Sequence, residues 1–149
     1  MAETRTDLVQ AATDWVEGFN AADWERWGRN LAPDVVYAET GTGRRIEGRE
    51  PYLELCRDWR DALPDCKGTI RHVVASADTV AQEVLWKGTH TGPMRTPGGG
   101  TLEASGRRVT VEASLWARFE GDKIREIHHY FDVFALLQQV GAIPATPTG

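Results

Sequence analysis

Val109, Val111, Ala113, Leu115, Ala117 and Phe119 alternate with Thr110, Glu112, Ser114, Trp116 and Arg118. A period of two predicts a strand with one buried face. Glu120-Gly121-Asp122-Lys123 then reads as a tight turn, with Gly121 free to take the positive φ such a turn needs. A second strand follows, Ile124 to Phe131. One of its faces carries Arg125, Ile127, His129 and Phe131, the other Glu126, His128, Tyr130 and Asp132. The first set is the more apolar, so the hairpin presents a titratable ring, His129, between Ile127 and Phe131. Such a histidine is either a satisfied core residue or a proton-transfer group.

Upstream, a helical period dominates. Leu8, Ala11, Ala12, Trp15, Val16 and Phe19 form one apolar stripe, with Thr6 or Asp7 as cap. After a break at Phe19 to Asp23, Asp23 caps a second helix bearing Trp24, Trp27 and Leu31 and ended by Pro33. Asp34 to Glu39 reads as a short strand carrying Tyr37. Thr40 to Gly43 is a loop, and Arg44 to Ile46 a second small strand. A third helix near Arg49 to Leu63 has Pro51 in its first turn and buries Tyr52, Leu55, Cys56 and Trp59. Strands are predicted over Thr69 to Ser76 and Val80 to His90, joined by a turn at Ala77-Asp78. Between Thr91 and Gly106, two prolines and five glycines predict a mobile loop, long enough to serve as the lid or rim of a site. Asp132 can cap a last short helix, Val133 to Val140, stopped by Gly141. The Pro-rich tail, about residues 143–149, is expected to be flexible. Helices first and strands after predict an α+β fold, with three N-terminal helices packed on a curved antiparallel sheet.

Composition narrows the function classes. A chain of 149 residues predicts a single domain, 1–149, with a sizeable core. The formal charge is −5 and no basic stripe appears, which argues against nucleic acid and anionic membranes as partners. No apolar run reaches the ~20 residues of a membrane helix, and the polar N-terminus lacks a signal-peptide core. Cys56 and Cys66 form neither a disulfide framework nor a metal motif, so reduced thiols in a cytoplasmic protein are expected, with no metal and no cofactor. Six tryptophans are many for this length; large rings either fill a core or line a cavity.

Several short motifs recur in a telling order: Phe19-Asn20; Ala32-Pro33-Asp34 before a strand reaching Tyr37; Trp86-Lys87-Gly88-Thr89-His90-Thr91-Gly92; Phe119-Glu120-Gly121-Asp122-Lys123-Ile124; Tyr130-Phe131-Asp132; and Leu136-Leu137-Gln138-Gln139-Val140-Gly141. Together they resemble the SnoaL-like polyketide cyclase family of the nuclear transport factor 2-like (ketosteroid isomerase-like) superfamily. The resemblance implies a cone-shaped fold enclosing a pocket. In cyclases of this family it implies an acid–base aspartate in the last strand, which removes a proton alpha to a carbonyl. That position falls here on His129, three residues before Asp132. Family pocket positions fall on Tyr37 and Leu115, the latter polar in a cyclase and apolar here.

The expected function is a cofactor-independent enzyme doing acid–base chemistry alpha to a carbonyl of a hydrophobic small molecule, ending in ring closure or isomerisation. His129 is the candidate acid–base residue, since a histidine titrates near neutral pH and an apolar surround keeps its ring neutral and basic. Asp132 is either a helix cap or a residue orienting His129. Tyr37, His90, Trp86 and Leu115 are candidate substrate contacts, with Trp15, Phe19, Trp59 and Phe131 as cavity wall. Small Ala113 and Ala117 are expected to leave room for the cavity. The alternatives are a non-catalytic ligand-binding or dimerisation domain of the same fold, or a hydroxylase or epoxide-hydrolase-like variant. A homodimer through the outer sheet face is expected, because Trp116, His128 and Tyr130 share a face the helices cannot cover.

Overall fold

Helix α1 (Ala2–Ala21) buries Leu8, Ala12, Trp15, Val16 and Phe19, the stripe its sequence predicts. The structure is a computed structural model that describes residues 2–144, with side chains described from residue 7 onward. The helix starts well before the predicted caps: Asp7 lies inside it, and the side chain of Thr6 is outside the described set. Residues 145–149 of the predicted tail likewise lie outside the described residues.

Ala22, at φ 52°, turns the chain, and Asp23 accepts the Arg26 N–H at 3.1 Å to cap α2 (Trp24–Gly28). The two helices meet at Gly18, where a Cβ would collide with the Trp27 backbone nitrogen. Only glycine permits that approach. Helix α2 is shorter than predicted. Leu31 and Pro33 belong instead to β1 (Leu31–Glu39), whose register with its neighbour shifts between Leu31 and Val36. Strand β2 (Arg44–Glu47) pairs antiparallel with β1, and α3 (Arg49–Ala62) follows, burying Tyr52, Leu55 and Cys56. Strands β3 (Lys67–Ser76) and β4 (Thr79–Thr89) form a hairpin whose tight turn carries Ala77 at φ 53°. The predicted loop contains a small hairpin, β5 (Met94–Arg95) and β6 (Thr101–Leu102). Strands β7 (Arg108–Glu120) and β8 (Lys123–Phe131) make the long hairpin, and α4 (Val133–Gln139) closes the described chain.

The six-stranded sheet has the order β2-β1-β8-β7-β4-β3, curved and largely antiparallel. One pairing departs from the expectation: β1 runs parallel to β8. These strands are distant in sequence, so no tight turn forces them antiparallel. A bulge between Arg118 and Phe119 shifts the predicted faces of β8. Ile124 goes into the core, while Arg125 pairs with Asp34 and Glu120. From Ile127 onward the predicted alternation holds. The described fold thus has four helices, two before β1, α3 between β2 and β3, and one after β8.

Several sequence motifs turn out to be clasps. Asn20 donates to the Gly68 carbonyl and accepts its N–H, tying α1 to β3. Gln139 makes the same two-way bond with Thr110, tying α4 to β7. The Gly88 to Gly92 run knots the end of β4 to the α3–β3 corner. Thr89 bonds Asp65, and the Gly92 N–H reaches the Ala62 carbonyl. Among the described residues, no helix is long and apolar enough to cross a membrane, and no group of three His, Cys, Asp or Glu is placed to hold a metal.

Candidate active site

Between the helices and the concave face of the sheet lies a cavity of about 90 Å³. Rings from every layer line it: Trp15 and Phe19 of α1, Tyr52 and Trp59 of α3, Trp86 of β4, and Phe131 of β8. Leu115 and His129 complete it from the hairpin, and Tyr37 from β1. Of the residues expected from the sequence, two fall elsewhere. Asp132 caps α4, accepting the Ala135 N–H at 2.9 Å. His90 is fully buried but does not line the cavity; its Nδ1 contacts the Ser105 hydroxyl at 2.9 Å and N–H at 3.2 Å, fastening the root of the β4–β7 loop. Nor do Ala113 and Ala117 line the cavity; Val109, Val111 and Leu115 bound it on β7 instead. No residue between Thr91 and Gly106 lines it either.

The parallel pairing of β1 with β8 decides the chemistry of the wall. It places Glu39 opposite His129 and Tyr37 opposite Ile127. The Tyr37 hydroxyl donates to Glu39 Oε2 at 2.5 Å and lies 2.7 Å from His129 Nδ1. A phenol has one proton. With that proton on the bond to Glu39, its oxygen accepts from Nδ1–H, and His129 Nε2 keeps its lone pair. Nε2 is buried and has no partner. Tyr52 stacks on Tyr37 with ring centroids 4.7 Å apart, fixing the phenol in place.

Glu39 is itself wholly buried and held from the other side. Its Oε1 accepts from the Thr42 hydroxyl at 2.7 Å and sits 3.5 Å from the Arg44 guanidinium. Both partners satisfy a buried carboxylate oxygen that would otherwise stand unpaired. The β1–β2 hairpin delivers them, since Arg44 pairs directly with Glu39 across the strands. Sequence reasoning passed over Glu39, Thr42 and Arg44. The available signal was the period of β1: Val35, Tyr37 and Glu39 share one face, and a carboxylate on a buried strand face needs a partner.

Electrostatics follow from this burial. Desolvation pushes the His129 pKa down from its ordinary value to about 3, so the ring is neutral. Desolvation, reinforced by the Glu39 charge, holds the Tyr37 hydroxyl well above the ordinary phenol range. Burial also pushes the Cys66 thiol up to about 12 and Cys56 upward, so neither is a thiolate nucleophile. A second unpaired polar atom belongs to the cavity-lining set, Trp86 Nε1. The Cε3–Cζ3 edge of that indole packs on Gly68, where a Cβ would come within 2.6 Å, so Nε1 lies on the edge facing away from β3.

The SnoaL-like polyketide cyclase family matches residues 9–140. No protein of curated function matches the chain significantly. Among solved structures, the candidate hydroxylase AclR of Streptomyces galilaeus aligns with TM-score 0.80 at 21% identity, over 97% of this chain and 87% of that one. A candidate SnoaL-like polyketide cyclase from Jannaschia sp. CCS1 aligns with TM-score 0.83 at 18% identity, over 95% and 96%. IdmH of Streptomyces antibioticus, a candidate polyketide cyclase, aligns with TM-score 0.75 at 25% identity, over 90% and 98%. With its four described helices, curved sheet and the cavity between them, the chain belongs to the SnoaL-like polyketide cyclase family and has the nuclear transport factor 2-like fold.

Proposed function

We propose that the protein is an acid–base enzyme that removes a proton alpha to a carbonyl of an apolar small molecule, leading to ring closure or isomerisation. The observation that carries this reading is the pair of unpaired buried atoms among the cavity-lining residues, His129 Nε2 and Trp86 Nε1. One is an acceptor and the other a donor, in a wall otherwise made of hydrocarbon, rings and the thiols of Cys56 and Cys66. Unpaired buried polar atoms cost about 1–3 kcal/mol each, so a site retaining two of them is complementary to something that pairs both. An enolisable ketone does so: its α-hydrogen meets the base and its oxygen, which becomes the enolate, meets the N–H. The two rings are neighbours in the wall, with centroids 6.3 Å apart.

The cavity is smaller than the roughly 150 Å³ apolar cavity that takes benzene. It therefore admits the reacting end of a substrate rather than a whole multi-ring system. The test uses phenylacetone in D₂O, with exchange of its benzylic α-protons followed by NMR. Wild-type protein is expected to accelerate the exchange and His129→Gln to lose ~10²–10⁴-fold of that rate. Binding without exchange would instead support a non-catalytic ligand-binding domain.

A further inference from the structure

Resting on the reading of His129 as the base, we propose that Glu39 is the proton sink of the site: the proton taken from substrate at His129 Nε2 is matched by transfer of the Nδ1 proton to Tyr37 and of the Tyr37 proton to Glu39.

The chain of atoms is continuous, 2.7 Å from Nδ1 to the phenol oxygen and 2.5 Å from that oxygen to Oε2. As the substrate C–H bond breaks, its electron pair stays on the substrate as the enolate and its proton bonds to Nε2. The Nδ1–H bond breaks as a new bond forms to the Tyr37 oxygen, and the original phenolic proton passes to Glu39. His129 ends as the other neutral tautomer, Tyr37 is unchanged, and Glu39 ends as a neutral acid. One negative charge has moved from Glu39 to the enolate and none has been created. Reversal of the same steps returns a proton to the product.

The alternative stops the proton at His129 and places an imidazolium in an apolar wall. Desolvation opposes that cation strongly, as the depressed His129 pKa reflects. The relay avoids it. Tyr37 ionises no more readily, which fits a phenol that exchanges one proton for another without ever standing as phenolate. Arg44 and Thr42 occupy Oε1 and leave Oε2, which faces the Tyr37 hydroxyl, as the oxygen that receives the proton. Glu39 does not touch the cavity, so it acts through His129 as a relay and positioning residue.

Two measurements test this. Nitrogen-15 NMR of labelled histidine, without ligand, reads the tautomer. The chain has four histidines, and His129→Gln assigns the signal. The expected wild-type spectrum shows a pyridine-like Nε2 and a pyrrole-like Nδ1, and Tyr37→Phe releases that preference. A protonated Nε2 in the wild type would overturn the relay, because the chain would then point the other way. The second measurement is phenylacetone exchange by Glu39→Gln. With its oxygen toward Tyr37 the substituted amide keeps the acceptor the phenol needs but cannot take the proton, and an unchanged tautomer verifies that orientation. Unchanged tautomer and KM with kcat reduced ~10²-fold or more is the expected result. Should this variant unfold, Tyr37→Phe carries the same kcat test from the middle of the chain. Wild-type kcat in folded Glu39→Gln overturns the relay alone. Absence of exchange in the wild type overturns the base reading, and the relay with it.

Discussion

His129, the proposed base, is held neutral by its burial while the protein stays folded. Its ring nitrogen is buried, its flanking residues are apolar, and its folded pKa falls to about 3 against an ordinary value near 6.5. Two consequences follow for a single residue. Between about pH 6.5 and pH 3 the unfolded chain binds a proton here that the native state refuses, so stability rises with pH across that window and falls on acidification. The ceiling on this one group is about 5 kcal/mol. Urea unfolding at pH 7 and pH 4.5 should show a smaller acid loss for His129→Gln than for wild type; equal losses would mean the ring is solvated. The second consequence concerns rate. Exchange catalysed by a ring that stays neutral should not decline with a midpoint near pH 6.5, the behaviour an unburied histidine would impose. For the donor, Trp86→Phe removes the N–H while keeping a ring on Gly68, and the expected loss in kcat is ~10²-fold.

At the scale of elements, the wall is held by close backbone approaches rather than by catalytic side chains. The α1–α2 crossing at Gly18 sets Phe19 and Trp27 against the cavity. Gly18→Ala would drive a methyl into the Trp27 backbone, an overpacking expected to cost about 1–3 kcal/mol. Gly98→Ala has nothing within 4 Å and should change stability by less than about 0.5 kcal/mol. Denaturant midpoints of the two variants compare these directly. The β4–β7 loop divides in the same way. Its root is fastened by His90 to Ser105 and by Gly92 to Ala62, and Met94 is buried. Its tip, Gly98 to Gly100, packs on almost nothing. Hydrogen exchange should therefore be slow at Gly92 and Gly106, whose N–H groups are bonded, and fast at Gly98, so that mobility is confined to the tip rather than spread over the whole predicted loop.

For the whole molecule, the sheet has a second face that no described element covers. Trp116 and Tyr130 are exposed there at 45% and 43%, beside His128, while Arg118 and Glu126 pair at the edge. We propose that a second copy of the chain covers this face, since a two-fold axis lets each Trp116 pack on the partner's equivalent surface. Sedimentation at micromolar concentration should give a dimer, and Trp116→Glu a monomer with the cavity chemistry intact. A wild-type monomer would refute it.

The periods along the chain were enough to determine the longer elements and most of their buried faces, because alternation and helical stripes are local consequences of which side chains avoid water. The inward set of β7 and the stripes of α1 and α3 were legible for that reason. So was the family, through motifs that the structure shows to be clasps: Asn20 on Gly68, Thr89 on Asp65, Gln139 on Thr110. The sequence also placed a titratable ring on an inward face. It could not place Glu39 beside that ring. Glu39 and His129 are 90 residues apart and meet only because β1 lies parallel to β8, a pairing no turn dictates. Asp132 took the local cap its sequence offers, and His90 fastened the β4–β7 loop, so neither faces the cavity. Local chemistry determines which faces are buried; only the packing of distant strands determines which buried polar groups face one another.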